Sequence, residues 1–381
     1  MSTKKKILLT FGTRPEAIKM APLFHELKKS ENFIVETCVT AQHRSMLDNV
    51  LEIFEITPNY DLDLMKNDQK LVTLTSKILE NISRVYKESS PDIVLVHGDT
   101  TTAMAAALSA FYENIIVGHV EAGLRTYDIQ SPYPEELNRQ VISRISDFHF
   151  APTEICRNNL NNENLNKSII EVTGNTVIDA LFWTLEKINS DDDLCKLINK
   201  KLVDSLNFDV QRKQYVLITG HRRENFGDSF VSICESIKEL AKRYSDINFV
   251  YPVHLNPNVQ KPVHDILDDL ENVYLIEPLN YVEFIYLMNN CYFILTDSGG
   301  IQEEAPSLKK PVLVMRDTTE RPEAVESGAV KLVGSSKEKI IEESAKLIDC
   351  SNDYMKMCVD INPYGNGNAS FNIKKALERE L

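Results

Sequence analysis

Short runs rich in β-branched residues recur along this chain with helical stretches between them, and that alternation leaves few architectures open. Residues 7–11, 34–40, 93–97, 115–120 and 169–173 read as strands separated by amphipathic or alanine-rich segments. Such alternation builds a parallel sheet with crossover helices. A polar stretch at 189–214 interrupts the pattern, which then begins again at 215–219, 247–251, 273–276, 293–296 and 311–315. The restart predicts a second doubly wound domain, so the expected division is 1–190 and 191–365, with a C-terminal helix at 366–381 packing back onto the first domain. The 381 residues, 43% apolar and 26% charged, suffice for two cores.

Charge narrows the function classes. A net charge of −14 argues against a surface built to track nucleic acid or an anionic membrane, both of which need basic stripes. The opening MSTKKKILLT is basic and then apolar, but Gly12 and Arg14 break the apolar run too early for a signal-peptide core or a spanning helix. It reads as a first strand in a cytosolic protein. Seven dispersed cysteines with no C-x-x-C pair suggest neither a disulfide framework nor a zinc ribbon, and are expected to be buried small apolar residues.

In open parallel sheets, ligands bind where strands end and helices begin, and the polar clusters of this chain fall there. After the first strand, Thr13 and Glu16 have capping-box spacing, Pro15 suits the first helical turn, and Arg14 stands at a helix start suited to anions. Neither G-x-G-x-x-G nor G-x-x-x-x-G-K-[ST] is present there. In the second half, Asp297-Ser298-Gly299-Gly300 leads from a strand into a helix; the glycines let backbone N–H groups approach a diphosphate, Ser298 adds a hydroxyl, and Glu304 can accept both hydroxyls of a ribose. Arg316 and Arg321 follow the next strand, where they can neutralise phosphate or fix loops. His221 sits beside Arg222 and Arg223 after another strand, a cationic run that points to phosphate contact.

The first half supplies acids instead: Asp99, Glu121, Glu135 and Glu136. Paired carboxylates can be driven to different pKa values, one serving as base and the other as acid. Asp99 and Glu121 each stand two residues after a histidine, His97 and His119, at strand ends. That H-x-[DE] arrangement also has the spacing of metal ligands, because side chains two apart on a strand share a face. The alternative is a pair of core histidines hydrogen-bonded to neighbouring loops, and the residues alone leave both open.

Taken in order, FGTRPEAIKMAP, HGDTTT, HVEAGLRT, SPYPEELNR, VTGNTVIDAL, GHRREN, DSGGIQEEAPSLKKPVLVMRDTTERPEAVESG and PYGNGNAS resemble the non-hydrolysing UDP-N-acetylglucosamine 2-epimerases across essentially the whole chain. The resemblance implies a GT-B-like fold, two Rossmann-like domains facing across a cleft that holds the site, in a cytoplasmic homodimer with no cofactor and no metal. It implies interconversion of UDP-N-acetylglucosamine and UDP-N-acetylmannosamine for cell-surface polysaccharide synthesis, by elimination of UDP to 2-acetamidoglucal and re-addition with the C2 proton on the opposite face. Asp99, Glu121 and Glu135 then match the catalytic carboxylates and His221 the catalytic histidine. Arg14 and Lys19 match phosphate contacts, Ser298, Gly299 and Gly300 the diphosphate turn, Glu304 the ribose contact, Phe284 the uracil face, and Arg321 an arginine of the same site. A second, regulatory UDP-N-acetylglucosamine pocket is implied at Gln42, Gln69, Arg222 and His254. Where some members carry a basic residue before the matching glutamine, this chain has Asp68 ahead of Gln69.

Competing readings are an epimerase of a modified UDP-N-acetylhexosamine, a glycosyltransferase of the same fold, and a catalytically silent nucleotide-sugar sensor. Incubation with UDP-N-acetylglucosamine alone separates a 2-epimerase from the last two: epimer forms without an acceptor, UDP appears only with one, or nothing happens.

Overall fold

Seven strands build the first sheet: β1 (Lys5–Phe11), β2 (Phe33–Val39), β3 (Tyr60–Asp61), β4 (Ile93–His97), β5 (Ile116–Val120), β6 (Phe148–Ala151) and β7 (Ile169–Val172). They are parallel throughout, in the order β3-β2-β1-β4-β5-β6-β7. Six more, β8 (Tyr215–Thr219), β9 (Asn248–Pro252), β10 (Val273–Ile276), β11 (Ile294–Thr296), β12 (Val312–Val314) and β13 (Val330–Leu332), form a second parallel sheet in the order β10-β9-β8-β11-β12-β13. The computed structural model describes residues 4–41, 44–64, 69–165 and 168–381. The chain divides into two units, residues 1–182 with 364–381, and 183–363.

Each sheet reverses direction once. The chain leaves β1 for β2 on one side and returns to β4 on the other, and likewise leaves β8 for β9 and returns to β11. At such a switch point the loops diverge beyond the strands' carboxyl ends and open a ligand-binding crevice. In the first unit those ends carry Gly12-Thr13-Arg14 and Gly98-Asp99-Thr100; in the second, Gly220-His221-Arg222 and Asp297-Ser298-Gly299.

The core explains the run-like strands. Ile7, Leu8, Leu9 and Phe11 of β1 and Ile93 to Val96 of β4 are fully buried, as strands covered on both faces must be. Burial of each large apolar side chain contributes about 1.5–3 kcal/mol. The helix Thr101–Tyr112 is capped by Thr100, whose hydroxyl accepts the Ala103 N–H at 3.0 Å, and it buries Ala103, Ala105, Ala106, Ala107 and Ala110. These small side chains let it lie close over the sheet.

Three strands escape the sequence reading, β3, β6 and β13. They are two to four residues long, and β6 interleaves His149 with Phe148 and Phe150, so no apolar run marks it. The stretch 189–214 is not a structureless interruption. Residues Asp192–Leu206 form a helix capped by Asp191, which bury Ile198, Leu202 and Leu206 on one stripe. The boundary between units falls at 182/183, inside the helix Thr176–Ser190, where the sequence pattern suggested 190. Cys38, Cys156, Cys234 and Cys291 are buried, but Cys195, Cys350 and Cys358 are half-buried.

The C-terminal helix Ala369–Glu380 belongs to the first unit and packs on the helix Arg14–Lys28, burying Ile373, Ala376 and Leu377 and pairing Lys374 with Glu26. Among the described residues no helix is long and apolar enough to cross a membrane.

Candidate active site

The capping box at the end of β1 forms as its spacing requires. Thr13 accepts the Glu16 N–H at 3.3 Å, and Glu16 Oε2 accepts the N–H groups of Thr13 at 2.7 Å and Gly12 at 3.1 Å. Glu16 also reaches across the switch point: its Oε1 accepts the Thr100 hydroxyl at 2.7 Å. One buried carboxylate therefore straps the starts of the helices after β1 and β4. Burial pushes its pKa up, opposed by the bonds from Thr100, Thr13 and Gly12. Gly12 has no room for a side chain, since a Cβ would stand 2.2 Å from Thr40 Oγ1 and 2.6 Å from Thr102 Oγ1. Arg14 follows at the first helical position, half-buried.

Asp99 and Glu121 stand at the carboxyl ends of adjacent strands, β4 and β5, in different surroundings. Arg139 holds Asp99 by Nε at 2.9 Å and Nη2 at 2.7 Å, both on Oδ2, and the Asp99 side chain remains 25% exposed. Asn138 Nδ2 donates to the Asp99 carbonyl at 2.8 Å. The Glu121 side chain, 9% exposed, is paired with Lys19 and accepts Asn175 Nδ2 at 2.8 Å, with His97 Nε2 3.8 Å away, all on Oε2. A Cβ on Gly98 would lie 3.7 Å from Glu121 Oε1, so this carboxylate borders the turn that carries Asp99. Lys19, matched by resemblance to a phosphate contact, thus pairs within the acid cluster. Glu121 also sits in the left-handed region at φ 64°, uncommon for a side chain with a Cβ.

The H-x-[DE] pairs do not share faces as strand residues would, because Gly98 at φ 65° and Glu121 at φ 64° break the alternation. His119 turns inward and its Nε2 lies 2.7 Å from the Gly98 carbonyl, the loop contact of the alternative reading. Burial pushes His97 down to about 4; the Glu121 charge opposes that shift. Burial takes His119 down to about 3, assisted by His149, so both rings are neutral near pH 7. Among the described residues no group of three His, Cys, Asp or Glu side chains could hold a metal ion.

The adjacent acids Glu135 and Glu136 divide. Helix geometry turns neighbours about 100° apart, and Glu136 points inward, fully buried, accepting the Thr126 and Tyr127 N–H groups at 3.0 and 3.2 Å, Gln140 at 3.0 Å and Arg139 at 3.1 Å. Burial works to raise its pKa, but the bonds from Gln140, Thr126 and Arg139 outweigh it and hold the carboxyl below its ordinary value. Glu135 begins the helix Glu135–Ile145, half-buried.

In the second unit, β8 and β11 bring His221 against Asp297. Asp297 Oδ2 accepts the N–H groups of His221 at 2.9 Å and Arg222 at 2.8 Å, and its fully buried Oδ1 faces His221 Nδ1 at 3.7 Å. The His221 ring stacks on His254 at 5.2 Å, and its side chain is 43% exposed. Burial lowers its pKa, Asp297 opposes this, and His254 and Arg222 add to the lowering. Ser298 stands at the N-cap position of the short helix Gly299–Glu304 with no capping bond from its side chain, and its N–H donates to Thr296 Oγ1 at 2.9 Å. The Arg321 guanidinium lies directly over Gly299, where a Cβ would stand 2.9 Å from Arg321 Cζ. Gly300 follows it in the first turn. Arg321 donates to Glu303 at 2.9 Å, and Arg316 binds Glu224 and Glu320, so Arg316 takes the loop-fixing role of the two open to it. Tyr281 donates its hydroxyl to Glu304 Oε1 at 3.0 Å, and Phe284, half-buried, lies one turn along the same helix, Tyr281–Asn290.

Of the regulatory positions, Gln42 lies outside the described residues, as does Asp68. Gln69 precedes the helix Leu71–Ser89, while Arg222 and His254 both adjoin His221. Sequence reasoning missed Arg139 and Asn175, and the role of Asp297 at the head of its glycine turn, although each lies within one of the motifs above.

Two doubly wound parallel-sheet domains with carboxylates and a histidine at their strand ends define an enzyme of the GT-B-like class. A family described as UDP-N-acetylglucosamine 2-epimerase matches residues 25–378. The Campylobacter jejuni UDP-N-acetylglucosamine 2-epimerase is 56% identical over 368 residues, covering 96% of this chain and 95% of that one. The crystal structure of the Neisseria meningitidis enzyme bound to UDP-GlcNAc superposes with a TM-score of 0.90 at 53% identity, covering 98% of this chain and 100% of that chain. That of the Methanocaldococcus jannaschii enzyme, in complex with UDP-GlcNAc and UDP, gives 0.80 at 36%, covering 98% and 99%. The chain belongs to the UDP-N-acetylglucosamine 2-epimerase family.

Proposed function

We propose that this chain interconverts UDP-N-acetylglucosamine and UDP-N-acetylmannosamine by eliminating and re-adding UDP. The observation that carries this is the pair Asp99 and Glu121 on neighbouring strand ends, each with its own cation and a different exposure. The C2 proton of the sugar is not acidic, so direct deprotonation and return is slow. Removal of that proton by a carboxylate while the C1–O bond breaks, its electron pair leaving with UDP, gives 2-acetamidoglucal. Re-addition of the UDP oxygen at C1, with protonation of C2 from the other face, completes the exchange. Two carboxylates tuned apart by their surroundings suit the two faces.

In this reading Glu135 joins Asp99 and Glu121 in the proton transfers, and His221 stabilises the departing diphosphate. The Ser298-Gly299-Gly300 turn and Arg14 bind the diphosphate, Arg321 shapes that turn, Glu304 takes the ribose and Phe284 stacks on the uracil. The protein works without a cofactor as a cytoplasmic homodimer, and its product feeds cell-surface polymer synthesis. Incubation with UDP-N-acetylglucosamine and no acceptor tests the reading: the mannosamine epimer supports it, and UDP release that requires an acceptor sugar rejects it.

The division between neighbouring acids gives a sharp expectation. Glu135→Gln lowers turnover by about 10²-fold or more and leaves the melting temperature near wild type. Glu136→Ala strips four donors of their acceptor and costs several kcal/mol of stability, on the order of 1–3 per unpaired buried group. Equal melting temperatures for the two variants contradict it. The M. jannaschii structure, with UDP-GlcNAc and UDP both bound, supports a second, activating UDP-N-acetylglucosamine near Arg222 and His254. The rate then rises sigmoidally with substrate; a hyperbolic curve opposes it.

A further inference from the structure

Asn175 uses every polar group it has on a different part of the first unit. It follows β7 and Gly174, and is 2% exposed. Its side-chain oxygen accepts the Val177 N–H at 3.0 Å, capping the helix Thr176–Ser190. With the oxygen so occupied, the amide nitrogen is fixed on the other side, where it donates to Glu121 Oε2 at 2.8 Å. Its backbone N–H donates to the Tyr364 carbonyl at 2.7 Å, and its carbonyl accepts from Ile178.

Tyr364 is the first residue of the returning C-terminal segment, and the same junction holds that segment at three more places. Asn372 Nδ2 donates to the Thr173 carbonyl at 3.1 Å. Asp179, one turn beyond Asn175, accepts the Ser370 N–H at 2.7 Å and the Ala369 N–H at 3.1 Å. Gly174, at φ 90°, passes so near the segment that a Cβ would lie 3.2 Å from the Tyr364 carbonyl oxygen. These contacts join stretches about 190 residues apart and fall on Thr173, Gly174, the Asn175 backbone and Asp179, the stretch around the side chain that touches both a helix start and the Glu121 carboxylate.

We propose that Asn175 is a positioning residue that makes the placement of Glu121 depend on the docking of the C-terminal segment, residues 364–381. The inference rests on Glu121 acting at C2 as described above. Glu121 occupies a left-handed backbone position, which persists only where surrounding contacts over-determine it. Lys19 holds Glu121 by a charge-assisted hydrogen bond from the end of a flexible stem, whereas the planar amide of Asn175, anchored at its oxygen, fixes direction. A carboxylate displaced by an ångström from the C2 proton loses about 10²-fold in rate.

Asn175→Asp isolates this role, because aspartate keeps an acceptor for the Val177 N–H and replaces the donor by an anionic oxygen facing Glu121. The expected result is a UDP affinity near wild type, an unchanged KM and a kcat lower by about 10²-fold, with a melting temperature lowered by the like charge placed beside Glu121 Oε2. Asn175→Ala also loses the cap and melts lower. Asp179→Asn loosens the segment without touching Glu121; it should speed exchange of the Asn175 backbone amide and lower kcat at constant KM. Wild-type kcat in Asn175→Asp overturns the positioning role, and wild-type kcat in Asp179→Asn despite faster exchange overturns the dependence on the segment. If the unmodified protein does not turn over its substrate, the functional reading fails separately. A crystal structure of Asn175→Asp then still decides: an unmoved Glu121 carboxylate overturns the inference, and a displaced one upholds it.

Discussion

Asp99→Asn is expected to lower turnover by about 10²–10⁴-fold, the range associated with loss of a positioned acid or base, while UDP binds as before. Asparagine matches aspartate in size but has no basic oxygen to take a proton. The exchange does not strand a cation, because Arg139 keeps Glu136 at 3.1 Å. The groups proposed to hold the ribose, the uracil and most of the diphosphate belong to the second unit, away from the substitution in sequence and in sheet. Calorimetric titration with UDP and a turnover assay on the same preparation check both halves. Retained turnover rejects Asp99 as catalytic, and lost UDP binding rejects the division of labour.

Asp297→Asn is the second large effect. A unit-charge pair near 4 Å is worth up to about 4 kcal/mol at an effective dielectric constant of about 20, and Asp297 Oδ1 faces His221 Nδ1 at 3.7 Å. The imidazole is partly exposed, so screening leaves only a fraction of that, and turnover should fall about 10–100-fold. The sign of the pH effect follows. Burial already lowers the His221 pKa, and the Asp297 charge is what opposes it. Removing that charge lowers it further, so the imidazolium that stabilises the departing diphosphate is lost at lower pH. The alkaline limb of the rate profile should move toward acid in Asp297→Asn. A limb that stays in place with reduced height assigns Asp297 to holding the His221 and Arg222 N–H groups alone.

Much of this site was legible because parallel sheets confine function to strand ends, and the polar clusters there are dense. The Thr13-x-x-Glu16 spacing announced a helix start, and the start is there. That spacing could not reveal the bond from Thr100 to Glu16, since it joins residues 84 apart that only the β1–β4 pairing brings together. The same limit hid Arg139 behind Asp99 and Asn175 behind Glu121. Adjacent glutamates in SPYPEELNR look alike in sequence; only the direction of the helix separates the buried one from its neighbour. Asp297 was visible at the head of its glycine turn, but its partner His221 lies on another strand, so its role was not. The missed strands fail for a different reason: β6 and β13 are held by pairing with neighbours rather than by local propensity.

The central claim is tested most directly by proton NMR of the purified protein with UDP-N-acetylglucosamine in deuterated water, following the anomeric signal and deuterium at C2. Elimination and re-addition predict the mannosamine epimer carrying deuterium at C2. Epimer that retains its C2 proton, or substrate that stays unchanged, contradicts the account.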